Sequence, residues 1–304
     1  MIKTLIKTVY LLPLALLGLT AASRAQLNPF QYMYYQDRYI LNPALAGTDQ
    51  GMTVNLGYRR QWNNLPGAPK TGILTAQYRA ADKVGLGLNI QDDHSGLIHS
   101  TRVVGTYAYH LPLNGEQDHL SFGLSLGVND SRVDYNEVVG DVSDEEIAQY
   151  NQLKPYIDGD FGAAYTGERL MISASLPNLK STFFKESDTR FDTDRLLMVT
   201  AISYKLDLSN PTGILTLEPL AGFRIIKGYK NIVDAGLNFT MHNYGLYLQT
   251  IYHSNETLGM GIGMDQKSYL LNFSYNLETG RLRTLTHGAF ELGLKLKLFA
   301  GDKK

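Results

Sequence analysis

The chain has 304 residues, with 28 Lys and Arg against 29 Asp and Glu, a formal net charge of −1 and no cysteine. That balance argues against a nucleic-acid partner, and the missing thiols exclude both a disulfide framework and the acylated cysteine of a lipoprotein. Hydrophobic residues make up 44% at a mean hydropathy of −0.18, too polar for a bundle of spanning helices, and beyond Leu19 no run reaches the roughly 18 apolar residues that one such helix requires.

Residues 1–25 read as a cleaved secretory signal. Lys3 and Lys7 supply its positive start, Val9 to Leu19 its apolar stretch, and Ser23-Arg24-Ala25 a small-x-small cleavage site, so that the mature chain begins at Gln26. Removing Lys3, Lys7 and Arg24, with no acidic residue, makes the remainder more negative. Residues 26–50 follow, carrying Tyr32, Tyr34, Tyr35 and Tyr39 between Pro29 and Pro43. That composition suits an ordered, non-helical segment packed on something, either at the periplasmic mouth of a larger structure or as its plug.

From residue 51 to 304 the chain alternates at a period of two, which in a strand sends successive side chains to opposite faces. Met52, Val54, Leu56 and Tyr58 form the first apolar stripe, then Leu74, Ala76 and Tyr78, then Val84, Leu86, Leu88 and Ile90, then Val103, Tyr107 and Tyr109. Leu120, Phe122, Leu124, Leu126 and Val128 alternate with Ser121, Gly123, Ser125, Gly127 and Asn129 without an error. Phe161, Ala163 and Tyr165 face Leu170, Ile172, Ala174 and Leu176 across a tight turn at 166–169, a hairpin signal. The second half repeats the pattern around Met198–Tyr204, Leu215–Phe223, Val233–Phe239, residues 244–252, Leu258–Met264, Tyr269–Tyr275 and Phe290–Leu298.

The fold this predicts is all-β: a transmembrane barrel of about fourteen antiparallel strands, an even number as single-chain bacterial barrels require. Only helices and closed barrels satisfy every backbone group in hydrocarbon, and the helix is already excluded. No outward stripe contains a charge. Slipping the last strand by one residue would turn Glu291, Lys295 and Lys297 to lipid, at roughly 2–4 kcal/mol for each Lys at the midplane. Tyr58, Tyr78, Tyr109, Tyr165, Tyr204, Tyr252, Tyr269 and Tyr275 fall toward strand ends, where interfacial girdles form. Short connections at 80–82, 167–168, 242–243 and 265–267 belong with both termini on the periplasmic side. The long ones, roughly 130–157, 178–193 and 278–287, belong outside, with 112–118 and 207–213 intermediate. Within 130–157 an acidic run at 141–146 leads into a short helix expected over Ile147–Leu153, capped by Ser143.

The mature start, Gln26-Leu27-Asn28-Pro29-Phe30-Gln31-Tyr32-Met33-Tyr34-Tyr35, and then Leu41-Asn42-Pro43-Ala44-Leu45-Ala46-Gly47, carry information beyond periodicity. With Arg59-Arg60-Gln61-Trp62 and Gly67-Ala68-Pro69-Lys70-Thr71 they resemble the PorP/SprF family of Bacteroidota outer-membrane proteins, over essentially the whole chain. Asn28 stands where that family has an acidic residue and Leu45 where tyrosine is common. The resemblance implies an outer-membrane partner of the type IX secretion system and of gliding motility, which retains secreted client proteins bearing a type B C-terminal domain and contacts periplasmic secretion components. It implies partner-facing roles for Tyr32, Asn42, Pro43, Ala44, Gly47, Arg60 and Trp62.

Catalysis is not expected. The repeats Gly85-x-Gly87 and Gly259-x-Gly261-x-Gly263 precede no helix and fail the context of a dinucleotide loop. No nucleophile elbow occurs among the serines, and no cofactor is implied. Asp92-Asp93-His94 and the acidic run at 141–146 lack the spacing of an EF-hand loop and read as solvated loops, so no metal is assigned. Phe183 and Phe184, adjacent in the 178–193 connection, form an apolar patch outside the wall suited to a surface client. The inward charges Arg102, Lys205, Arg224, Asp234, Lys295 and Lys297 support the alternative of a passive outer-membrane porin. Inward positions are often glycine or serine, leaving lumen space for water, for residues 26–50 or for a client's tail.

Overall fold

The computed structural model describes residues 30–62, 67–113, 118–135, 145–183, 196–209, 214–279 and 288–299. Fourteen strands follow one another: β1 (Met52–Gln61), β2 (Lys70–Ala81), β3 (Val84–Ser95), β4 (Ile98–Pro112), β5 (His119–Val133), β6 (Tyr156–Thr166) and β7 (Leu170–Leu176). Then come β8 (Leu196–Tyr204, resuming after Lys205 as Leu206–Asp207), β9 (Leu215–Ile226), β10 (Ile232–Met241), β11 (Leu246–His253), β12 (Thr257–Asp265), β13 (Tyr269–Glu278) and β14 (Ala289–Leu298). Each pairs antiparallel with its sequence neighbours, and β1 pairs with β14 from Met52↔Leu298 to Gln61↔Ala289, so the ring closes without an edge.

The alternation decides which face is which. Leu56, Tyr58, Leu124, Leu126, Phe273 and Leu292 point outward and are exposed, whereas Asn55, Thr75, Ser125, Asn272 and Ser274 point inward and are buried. The predicted phase holds for each strand given an outward stripe, including the rejection of the slipped β14, where Glu291 and Lys295 face inward. On β5 the apolar outward run Leu120–Val128 matches the roughly 9–11 residues that cross a bilayer in a tilted strand. We call the end holding Met52 and Leu298 proximal and the end holding Gln61 and Ala289 distal. Tyr78, Tyr109, Tyr165, Tyr204 and Tyr269 ring the proximal edge of the band. Tyr58, Tyr252 and Tyr275 ring the distal edge, where Tyr58 packs on Phe290 at 6.2 Å between ring centroids.

Three expectations change. Residues 92–95 are not loop but the end of β3, because β3, β4 and β5 continue beyond the apolar band and keep their ladder hydrogen bonds to a two-residue turn at Gly96-Leu97. The long connection correspondingly shortens, with β5 ending at Val133 and β6 beginning at Tyr156. Its helix, α1, starts earlier than expected, at Glu145–Gln152, and Ser143 lies outside the described residues.

Residues 30–47 lie inside the ring, in three 3-10 turns, Gln31–Tyr34, Arg38–Ile40 and Pro43–Leu45, and residues 48–50 lead out to β1. Their apolar side chains form small clusters with inward wall residues: Phe30 and Met33 with Ile73, Tyr34 with Leu220 and Ile251, and Leu45 with Ala164 and Met171.

Candidate functional site

The site is the contact between this inner segment and the wall. Pro43 fixes φ at the start of the third turn, and Asn42 caps it, its side-chain oxygen accepting from the Ala44 N–H at 2.9 Å. The Asn42 amide nitrogen donates outward to the carbonyls of Ala163 and Ala174, each at 3.1 Å, joining the turn to β6 and β7 at once. Glycines in the wall make this approach possible. A Cβ at Gly85 would fall on the Ala46 carbonyl, one at Gly123 on the Pro43–Ala44 peptide, one at Gly162 on the Asn42 side chain, and one at Gly87 on the Tyr39 ring. Gly47, at φ +69°, turns the chain out of the segment toward β1.

Polar contacts fasten it all round. Near the distal end, the Gln31 N–H donates to Glu291 at 2.7 Å and the Tyr34 hydroxyl to Asp234 at 2.8 Å. Asp234 also receives the Arg224 guanidinium through Nε and Nη2, at 2.7 and 2.8 Å, and His253 Nδ1 at 2.6 Å, with all three wall side chains essentially inaccessible. Lower down, Arg38 pairs with Glu218 at 2.5 Å, and Tyr39 shares a hydrogen bond with Thr106 at 2.8 Å. Lys295 pairs with Asp49 at 2.5 Å and donates to the Gln36 carbonyl at 3.2 Å. His110 Nε2 lies 3.0 Å from the Ala46 carbonyl and its Nδ1 lies 2.8 Å from Ser121. A carbonyl only accepts, so Nε2 carries the proton and the Ser121 hydroxyl donates to Nδ1.

Asp37 is fully enclosed, accepting from Thr75 Oγ1 at 3.0 Å and Gln77 Nε2 at 2.8 Å. Burial pushes its carboxyl up to about 6, against the opposing pull of the Lys295 ammonium and the Thr75 and Gln77 hydrogen bonds.

Of the residues for which the family resemblance implied partner-facing roles, Asn42, Pro43, Ala44 and Gly47 lie in the segment, buried against the barrel's own wall. Tyr32 belongs to its first turn, with its side chain outside the described residues. Arg60 and Trp62 sit apart, at the distal end of β1, with Trp62 at φ +47° and its backbone N–H donating to the Gly288 carbonyl at 2.8 Å. Phe183 closes a short helix, α2 (Leu179–Phe183), and is exposed; Phe184 lies outside the described residues. The charges considered as a pore lining are mostly engaged: Arg102 binds Asp160 at 2.6 Å, Arg224 binds Asp234, Lys295 binds Asp49 and Lys297 binds Asp265. Lys205 is exposed at the break in β8. Sequence reasoning missed Arg38, Asp37 and Glu218. Their only signal was charge in an otherwise apolar, tyrosine-rich segment and at one inward strand position.

Comparison with solved structures finds barrels of similar fold. A TodX monoaromatic hydrocarbon channel mutant superposes with a TM-score of 0.52 at 11% identity, over 86% of this chain and 93% of that one. Acinetobacter baumannii Omp33 gives a TM-score of 0.48 at 6% identity, over 83% and 99%. The Ralstonia pickettii toluene transporter TbuX gives 0.47 at 12%, over 85% and 91%. At these identities the likeness concerns the fold alone. No curated protein sequence matches the chain. Residues 23–296, from the last part of the expected signal to β14, match the profile described as type IX secretion system membrane protein PorP/SprF, so the resemblance seen in the opening motif extends through the barrel. The chain belongs to the PorP/SprF family of type IX secretion system outer-membrane proteins.

Proposed function

We propose that this barrel is a non-enzymatic anchor that binds secreted clients carrying a type B C-terminal domain, adhesins among them, and retains them at the cell surface, with its proximal end toward periplasmic secretion components. The observation that carries this reading is the filled lumen. A passive channel needs an open aqueous path, whereas here residues 30–50 bind inward groups on strands around the ring. A barrel closed in this way offers a partner its ends, and among the described residues of the distal end Phe183 on α2 is exposed.

The test is deletion of the gene followed by measurement of client adhesin in the medium and on washed cells. The anchor reading expects release into the medium with secretion itself intact; unchanged surface retention would overturn it. Purified barrel in a planar bilayer separates the porin alternative, which requires steady open current from the intact chain.

A further inference from the structure

Where β3, β4 and β5 leave the apolar band, their outward face changes chemistry within one row of the sheet. Ile90, Val103 and Val128 form the last apolar row; the next holds Asp92, Thr101 and Asp130, and the row beyond it Lys70, His94, His99 and Arg132. Cross-strand partners stand close on one face. His94 and His99 are such partners, with rings stacked at 3.9 Å between centroids and 19° between planes. Asp92 precedes His94 by two residues and so shares that face. One carboxylate oxygen lies 3.1 Å from His94 Nε2 and the other 2.6 Å from His99 Nε2. Ligand atoms of all three residues lie within 4.8 Å of one another.

We propose that Asp92, His94 and His99 bind a borderline divalent cation of the zinc type, through two imidazole nitrogens and one carboxylate oxygen. Imidazole favours zinc, copper and nickel, whereas calcium and magnesium prefer all-oxygen shells. Ligands at zinc bond lengths on a tetrahedral ion stand roughly 3.3 Å apart, so the His94–Asp92 separation of 3.1 Å already fits, and the His99–Asp92 separation of 2.6 Å must open by roughly 0.7 Å. The two rings, now stacked, must turn so that both nitrogens face one ion, and with all three side chains between 39% and 46% exposed there is open solvent to turn into. The ion replaces the protons that the imidazoles now share with the carboxylate.

Support for the ligands is already in place. Thr101 Oγ1 donates to Asp92 at 3.0 Å and holds the carboxylate in its orientation. Arg132, the neighbour of His99, is paired with Asp130 at 2.8 Å, which offsets its repulsion of a dication. Lys70 beside His94 weakens the site. The remaining coordination positions adjoin a cleft of about 180 Å³ lined by Lys70, Ala68, Leu97 and Asp134, with room for water or for a carboxylate from a second molecule. The bound ion would tie the Gly96-Leu97 hairpin tip across both strands.

The test is calorimetric titration of metal-free full-length barrel in detergent at pH 7.5 with zinc, with calcium titrated in parallel. The expected result is one zinc per barrel and no calcium heat. His94→Ala and His99→Ala should each weaken binding by at least about tenfold, and Thr101→Val by about tenfold, the usual scale of losing a group that orients a ligand. Heat-modifiable gel migration of each variant reports that the barrel has folded, and the Cu²⁺ EPR spectrum should show two nitrogen ligands that fall to one in either histidine variant. Absence of one-site zinc binding by a folded barrel, binding unchanged by both histidine substitutions, or calcium binding in preference to zinc would overturn the proposal.

Discussion

At the scale of single residues, the inner wall is shaped by what glycine omits. Gly85 and Gly123 have no side chain because residues 43–46 occupy the space where one would stand. Gly85→Val should therefore displace the segment or strain it, costing about 1–3 kcal/mol as overpacking does. Denaturant unfolding checks this, with Gly105→Val as control, since a Cβ at Gly105 meets nothing within 4 Å. Asp37 gives a second expectation, and its sign follows from the raised carboxyl. Folding favours the protonated form, so its contribution is full below about 3.8, is lost as pH rises through about 6, and is absent above. At roughly 1.4 kcal/mol per pH unit, the native chain should lose on the order of 3 kcal/mol between pH 4 and 7 relative to Asp37→Asn, which cannot ionise. Unfolding midpoints across that range, read from the single tryptophan, Trp62, measure the difference; parallel profiles for the two proteins would refute it.

At the scale of elements, strand existence, phase and nearly all connections were legible because hydrocarbon on one side and a polar interior on the other impose a period of two. The expectation for substitution follows directly. Leu126 is 65% exposed on the outward face near the middle of β5, so Leu126→Lys should cost roughly 2–4 kcal/mol, visible as a shifted urea midpoint of folding into vesicles. Ser131→Lys, beyond the band on the same strand, should have much less effect. What stayed hidden was pairing across the ring. Arg38 meets Glu218 and Lys295 meets Asp49 at separations of 180 and 246 residues, and no local pattern reports a register that only ring closure sets. The histidine pair shows the intermediate case. Asp92 and His94 stood together in sequence, but His99 joined them only because β3 and β4 continue past the band and turn at Gly96-Leu97.

At the scale of the whole molecule, a barrel wall and an internal segment make two structures in one chain, and they are separable by experiment. Deleting residues 30–48 should leave strands that still close, since the β1–β14 ladder begins at Met52. The variant should keep heat-modifiable migration yet pass ions in a planar bilayer where the intact chain passes few. A closed deletion variant, or an equally conductive intact chain, would contradict the account of the lumen as filled. The opening motif that carried the family resemblance is thereby explained physically: Asn42, Pro43, Ala44 and Gly47 are the residues that turn the chain within the ring and fasten it there.

The fastening also constrains how such a sequence can diverge. Outward positions such as Leu124 or Phe273 need only remain greasy and can drift independently of one another. A change at Arg38, Tyr34 or Asn42 leaves a mismatched partner at Glu218, Asp234 or Gly162 on a remote strand. Across relatives, substitutions in the inner segment should therefore arrive in correlated pairs with inward wall positions, while the lipid-facing surface, though larger, records almost no such coupling.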